Sequence, residues 1–416
     1  MAGQSLPAQE CFRDVLRMAS SLNRCAHLQS GSKTVRNPCT STLVSHVQQP
    51  PFKSLSRNTR VVACDFATVS DVGHGASHDV TNPHTPVLLS EVLAAFSAVK
   101  VKTYVDGTLG AAGHAQALLQ QHPECKHFIG IDMDPVAHAL AEQKLTVLSE
   151  SCPHIHLLQG NFGHMQALLQ QLPGRTNEGD IDGMLLDLGI SSMQVDQGDR
   201  GFSFSKEAAL DMRMGPGAAA SAEQLLNTWS EAELGQIFRE YGEERHWKGI
   251  ASRVVRARQE GAIRTTTQLV SLIGGQRRSK PGGAKHIHPA TRVFQALRIA
   301  VNQELQMLEQ AIPAAIDCLA PQGRLAIISF HSLEDRIVKR AFLKAAGRSP
   351  APSDVYGPYL QLVEEEEQAT ALVKLVNKKP ITPGEAELRA NPRSRSAKLR
   401  VVEKLSTSSC SPTKQE

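Results

Sequence analysis

The sequence predicts an α/β protein built on a doubly wound, mostly parallel sheet, with a helical domain inserted late in the chain. Four short apolar runs, residues 103–106, 128–132, 155–159 and 181–186, alternate with helical patterns across short loops, which implies right-handed crossovers. Each run ends on a residue suited to a ligand, and in open α/β sheets ligands sit beyond the carboxyl ends of strands. After Gln194 the alternation stops, and helical periodicity fills most of residues 221–311 before an apolar run returns at 323–330.

The chain has 416 residues, enough for two ordinary domains and a tail, and its net charge of +4 does not by itself call for a nucleic-acid partner. Eight cysteines without a CxxC pair suggest neither a disulfide framework nor a zinc site, and point to a reducing compartment. No apolar run approaches the length of a membrane span. Residues 1–64 hold eight Lys or Arg against Glu10 and Asp14 alone. Phe12, Val15, Leu16, Ala19 and Leu22 share one helical face there, with Arg13, Arg17 and Arg24 on another. That composition predicts a mitochondrial transit peptide and a matrix location, the alternative being a basic cytosolic tail. A polar linker over 65–81 follows.

The elements follow in order. A helix from about Val87 to Phe96 caps one end of the core, and a glycine turn after the first strand opens a helix that runs to Gln121. Pro135 starts the next helix, and another runs from Met165 to Leu172 after the third strand. In the insertion, Ser221 with Gln224, Ser230 with Glu233 and Thr265 with Gln268 have the spacing of capping boxes. A single helix from Pro289 places Phe294, Leu297, Val301, Leu305, Leu308 and Ile312 on one face. Residues 347–369 suit a surface loop and 371–376 a late strand.

The glycines at 107, 110 and 113 are spaced G-x-x-G-x-x-G, not the G-x-G-x-x-G of dinucleotide enzymes, which counts against a nicotinamide dehydrogenase. Asp132, ending the second strand, suits ribose hydroxyls. Phe162 suits either an adenine face or the core, and Asp187 ends the fourth strand. No Lys or Arg stands in the glycine turn to clamp phosphate, so a nucleoside cofactor without phosphates fits better. S-adenosylmethionine meets that requirement, with Asp106 facing its cationic methionine end. The pairs His154/His156 and His286/His288 have no acid or cysteine at ligand spacing, so no metal site is expected. From Gly261 to Gln303 no acid occurs, while Arg264, Arg277, Arg278, Lys280, Lys285, Arg292 and Arg298 do. Residues 388–400 add Arg389, Arg393, Arg395, Lys398 and Arg400, a pattern suited to a phosphate backbone.

The stretches YVDGTLGAAGH at 104–114, DGMLLDLGISS at 182–192, RGFSF at 200–204, LDMRM at 210–214, YGEE at 241–244, FQALRI at 294–299, SFHSLEDR at 329–336 and NPRSRSAKLR at 391–400 resemble the MraW/RsmH family. The resemblance spans about His84 to Arg400. It implies a Rossmann-like class I methyltransferase fold, S-adenosylmethionine as cofactor, and methylation of a cytidine N4 amine in small-subunit ribosomal RNA. With the leader, it implies a mitochondrial member. It divides the chain into a leader and linker (1–81), a first methyltransferase part (82–197), an inserted helical substrate domain (198–290), a second methyltransferase part (291–402) and a tail (403–416). It carries cofactor contacts onto Ala112, Gly113, His114, Asp132, Phe162, Asp187 and Gln194. Two residues depart from the family pattern: Ala112 stands where glycine is usual, and Met193 where proline is usual. Ala112 leaves open the alternative of a noncatalytic RNA-binding assembly factor. The cytosine amine is a poor nucleophile, and Asp187 and His331 are expected as catalytic acceptors for its hydrogens. Arg393, Arg395, Lys398 and Arg400 are expected on RNA phosphates.

Overall fold

The computed structural model describes residues 85–172, 179–191, 193–194, 198–274, 288–349 and 370–406. The expected leader and linker, the cations at 277–285, His286 and the loop over 350–369 lie outside them. Seven strands form one sheet: β1 (Thr103–Asp106), β2 (His127–Asp132), β3 (His154–Gln159), β4 (Ile181–Asp187), β5 (Leu319–Ser329), β6 (Val373–Leu375) and β7 (Lys398–Lys404), in spatial order β3-β2-β1-β4-β5-β7-β6. The first five pair in parallel, while β7 runs antiparallel to β5 and β6 antiparallel to β7.

The strands are buried on both faces because helices cover both. Helices α1 (Leu89–Phe96), α2 (Gly113–Gln121) and α3 (Pro135–Leu145) belong to one side. There Phe96, Leu118 and Leu145 pack with Tyr104, Phe128, Leu185 and Ile328. On the other side α4 (Met165–Leu169) and two later helices bring Met165, Leu308, Ile312, Val338 and Phe342 onto Val105, Met184, Leu186 and Ile327. Alternate residues of β4 and β5 thus feed opposite cores, as the two-residue pleat requires.

Between β4 and β5 lie α5 (Ala222–Thr228), α6 (Glu231–Glu240), α7 (Trp247–Glu260), α8 (Thr266–Ile273), α9 (Pro289–Asn302) and α10 (Glu304–Cys318). All three expected capping boxes form, each satisfying two otherwise orphaned donors. The helix expected to run unbroken from Pro289 is instead two. Gln303 takes a left-handed conformation (φ 54°) and turns the chain, so α9 packs with the inserted helices and α10 returns to the sheet. The helical insertion therefore extends through α9, past the expected boundary at 290. The last strand also runs past the expected start of the tail at 403. Two more helices, α11 (Ser332–Ala345) and α12 (Glu385–Ala390), complete the described fold, in which no helix is long and apolar enough to cross a membrane.

Candidate active site

The parallel strands end together, and their carboxyl ends carry three acids. Asp106 is buried at the end of β1 and accepts the Thr108 N–H at 3.1 Å. Burial, opposed by that hydrogen bond and reinforced by the nearby Asp132 charge, pushes its pKa up to about 7. Asp132 accepts the Gly110 N–H on Oδ2 and the Asp134 N–H on Oδ1, each at 2.8 Å. Each oxygen keeps a further lone-pair site for a ligand hydroxyl. Burial raises the Asp132 carboxyl as well. Asp187 is raised well above the ordinary range by burial, then by the Asp106 and Glu334 charges. Its Oδ1 is buried and has no hydrogen-bond partner among the described residues.

The glycine turn is as tight as its spacing predicts. A Cβ on Gly107 would come within 2.4 Å of Leu186 Cδ2, and one on Gly113 within 2.6 Å of Pro86 Cγ. Ala112 sits between Gly110 and Gly113 in a left-handed conformation (φ 58°), which costs a non-glycine residue about 1–2 kcal/mol. Its methyl group is fully buried in the core with Val87 and Leu88, which returns about 0.8 kcal/mol. The methyl therefore faces the core and does not narrow the cleft. Phe162 follows Asn161, whose side chain accepts the Gly163 N–H at 2.8 Å, and its ring is only partly buried against the core.

His331 caps α11 and Glu334 closes the capping box. The ring Nδ1 accepts the Glu334 N–H at 3.4 Å, so in the neutral ring Nε2 carries the hydrogen. Nε2 lies 3.0 Å from Glu334 Oε1, an ion-pair distance without hydrogen-bond alignment, and is otherwise buried and unpartnered among the described residues. The neutral ring thus presents its hydrogen at Nε2, and Asp187 presents an acceptor at Oδ1. Burial works to raise Glu334, but the His331 and Arg298 charges and the Phe330 N–H outweigh it and hold the carboxyl below its ordinary range.

A clamp that the sequence did not reveal holds the far side of the cleft. Asp134 caps α3 and also accepts from Gln194 Nε2 (3.2 Å) and Arg200 Nη1 (2.5 Å). Gln194 accepts the Ser191 N–H at 3.1 Å, so its amide braces the loop that follows β4. Asn302 on α9 donates to Met212 O at 2.8 Å and accepts from Met214 N at 2.9 Å. Gly215 then meets the turn after Asp132, where a Cβ would stand 2.8 Å from Met133 O. Residues 198–215 are therefore laid over the end of β2 by Arg200 and Asn302.

The four expected RNA cations separate into two kinds. Asp335 binds Lys398 Nζ at 2.9 Å and Arg400 Nε at 2.7 Å, and Arg400 is buried. Those two charges are matched inside the fold. Arg393 and Arg395 are exposed, in a 3₁₀ turn over residues 392–396. Because Ser329 pairs with Lys398, that turn emerges at the carboxyl end of the parallel strands, the same end as the acids. Of the acid-free stretch, Arg298 is held by both oxygens of Glu304 at 2.8 Å, and Arg292 lies 3.8 Å from Glu244.

The strand order and a cleft lined by acids, with no Lys or Arg in its glycine turn, define a Rossmann-like, S-adenosylmethionine-dependent methyltransferase. The model of the MraW methylase family matches residues 81–405, and the chain belongs to that family. Among curated relatives, the ribosomal RNA small subunit methyltransferase H of Heliobacterium mobile is 46% identical over 324 residues, covering 77% of this chain and 99% of that protein. The protein of the same name from Protochlamydia amoebophila is 48% identical over 327 residues, covering 78% and 98%. A solved N-methyltransferase, NodS from Bradyrhizobium japonicum, aligns with a TM-score of 0.30 at 12% identity, over 76% of this chain and 94% of that one.

The residues present fit the cofactor. Asp106 is a buried and Asp187 a half-buried carboxyl whose charge a cationic ligand would relieve, and Asp132 keeps lone pairs for hydroxyls. S-adenosylmethionine, when bound, supplies a methyl group on a positively charged sulfur. Asp132 would hold its ribose, Phe162 its adenine, and the 107–113 turn with Asp106 its methionine end.

Proposed function

We propose that this protein methylates the N4 amine of a cytidine in the small-subunit ribosomal RNA of mitochondria, and so supports assembly of that subunit. The observation that carries the reading is a buried acceptor without a partner among the described residues, Asp187 Oδ1, at the same end of the sheet as His331, whose Nε2 faces Glu334. Cytosine presents an amine hydrogen that this acceptor would hold; uracil presents an oxygen in the same place. Asp187 holding an amine hydrogen would turn the nitrogen lone pair toward the methyl group, and alignment supplies much of the remaining acceleration. The names of the relatives support ribosomal RNA as the substrate class. The exposed Arg393 and Arg395, at the rim on the same end, support a phosphate backbone entering there.

The mitochondrial part rests on the acid-poor, Arg- and Ser-rich composition of residues 1–64. Removal of residues 1 to about 70 should abolish import and leave methyl transfer in vitro unchanged. Nucleoside mass spectrometry of mitochondrial small-subunit rRNA, with and without this protein, tests the whole reading. N4-methylcytidine should disappear from that RNA when the protein is absent. Its persistence, or loss from another RNA instead, would remove the assignment.

A further inference from the structure

The turn between α6 and α7 carries an aromatic ring among cations that the fold does not use. Trp247 opens α7 and is half-buried, with an edge of its ring against α6, where a Cβ on Gly235 would come within 2.9 Å of it. Two cations lie over the ring, the Arg239 guanidinium 5.5 Å and the Lys248 ammonium 5.2 Å from its centroid. Arg245, His246 and Lys248 are exposed around it, and Arg256 is exposed two turns on, in the same i, i+4 row as Lys248. Arg245, Lys248 and Arg256 have no ion pair among the described residues. The other two cations of α7 serve the fold: Arg253 donates to the carbonyls of Leu272 and Ile273, and Arg258 to those of Leu226 and Trp229.

The nearby acids are committed elsewhere. Glu240 lies 2.7 Å from Arg239 with its side chain mostly buried, and Glu244 is buried, its Oε1 accepting the His246 N–H at 2.8 Å. Glu243 turns toward α11 and accepts the Ser332 hydroxyl at 2.8 Å. Ser332 follows His331, so the turn stands beside the start of α11, at the carboxyl end of β5 and at the mouth of the cleft. No acid occurs from Arg245 to Gln259. A face that served only solubility would carry interspersed acids.

We propose that Trp247, with Arg245, Lys248 and Arg256, is a platform for single-stranded RNA flanking the target base, one base stacking on the indole while the backbone follows the cations. This inference rests on the reading that RNA is the substrate, and it names where the strand runs beyond the cleft. Every base has a face that an indole can cover, and cations beside the ring neutralise the phosphates on either side. The cations now over the ring are exchangeable. A cation over an exposed ring contributes less than a stacked base, and the displaced charge then meets a phosphate. A duplex does not suit the platform, because its bases are already stacked on both faces.

The chain holds two tryptophans, Trp229 buried and Trp247 half-buried, so fluorescence reads the stack directly. Titrating the full chain with single-stranded oligouridylate should quench its emission. In Trp247→Phe, which keeps a ring against Gly235, that quenching should be lost. An RNA duplex of equal length and inorganic polyphosphate should bind through charge and leave the emission nearly unchanged. An unquenched wild-type chain, quenching that persists in Trp247→Phe, or equal quenching by polyphosphate would overturn the stack. Equal quenching by polyglutamate would assign the face to an acidic protein instead, and would overturn it too. Trp247→Ala should weaken oligouridylate binding about tenfold to a hundredfold and raise KM for rRNA more than it lowers kcat. Lys248→Gln should lower the salt slope of binding by about one unit. A fall in kcat at fixed KM would mark Trp247 as merely structural and contradict the proposal. Methyl found on an atom other than the cytidine amine would refute the substrate reading, while the fluorescence still decides the platform.

Discussion

The cleft at the ends of β1, β2 and β4 and the seam that joins β7 to α11, β5 and β6 are both crowded with charge, and they treat it in opposite ways. In the seam each acid has cations. Asp335 lies between Lys398 (2.9 Å) and Arg400 (2.7 Å), and Glu403 between Arg324 (2.9 Å) and Lys374 (2.7 Å). Burial alone would raise both acids, yet their partners hold each below the ordinary carboxylate range. In the cleft the acids crowd one another: Asp106 and Asp187 are raised by burial and by neighbouring carboxylates, and one oxygen of Asp187 has no partner among the described residues. Matched charge fastens the last strand to the fold. Unmatched charge is a standing cost, and a cationic ligand would relieve it.

The largest effect expected from this contrast is on stability at Asp106. Its carboxyl titrates near 7 in the folded protein and in the ordinary range near 3.9 when unfolded. The folded state therefore binds more protons between about pH 4 and 7, and stability falls as pH rises through that window. Asp106→Asn removes the cost. The ligand-free variant should be more stable above pH 7 by on the order of 4 kcal/mol, with little difference below pH 4, and should bind S-adenosylmethionine less well. Denaturant unfolding at pH 4 and pH 8 checks this; equal stability at pH 8 would mean that the acid bears no strain.

The seam predicts the reverse. Asp335→Ala leaves the buried Arg400 without its carboxylate, which should cost about 3 kcal/mol of stability and leave cofactor affinity unchanged. Urea titration and calorimetry separate the two readouts. Weaker cofactor binding at full stability would erase the distinction between seam and cleft.

At Asp132 the expected change is smaller and confined to binding. Replacing it by Ala should weaken S-adenosylmethionine about tenfold to a hundredfold, as loss of a hydroxyl–carboxylate hydrogen bond worth roughly 1.5–3 kcal/mol implies. An unchanged affinity by calorimetry would remove Asp132 from the site. Least of all, Arg395→Ala should lower the salt slope of RNA binding by about one unit without changing which base is modified. Arg400→Ala should leave that slope alone and lower stability instead.

This contrast also explains what the sequence could and could not convey. Strands β1 to β4 were legible within a residue because buried parallel strands are short apolar runs, and the three capping boxes were legible from spacing alone. Strand β7 was not. Its Leu399, Val401 and Val402 supply both cores, but Lys398, Arg400, Glu403 and Lys404 mask the run, and it reads as a basic segment. That its Lys398 and Arg400 are matched inside the fold depended on Asp335, some sixty residues earlier in the chain. The break at Gln303 lacks the glycine or proline that would announce it. In the cleft, residue types at strand ends revealed Asp132 and Asp187, whereas the clamp of Asp134 on Gln194 and Arg200 arises only once the loop over 198–215 folds back. The tautomer of the neutral His331 ring was hidden for a similar reason, since a backbone N–H from Glu334 sets it.

Methyl transfer to the amine of a cytidine can be measured directly. The purified chain without its leader is given S-adenosylmethionine labelled in the methyl group together with small-subunit rRNA, and the RNA is digested to nucleosides. Label should appear in N4-methylcytidine and should be lost in Asp187→Asn. Label on a ring carbon, on ribose or on protein would contradict the account.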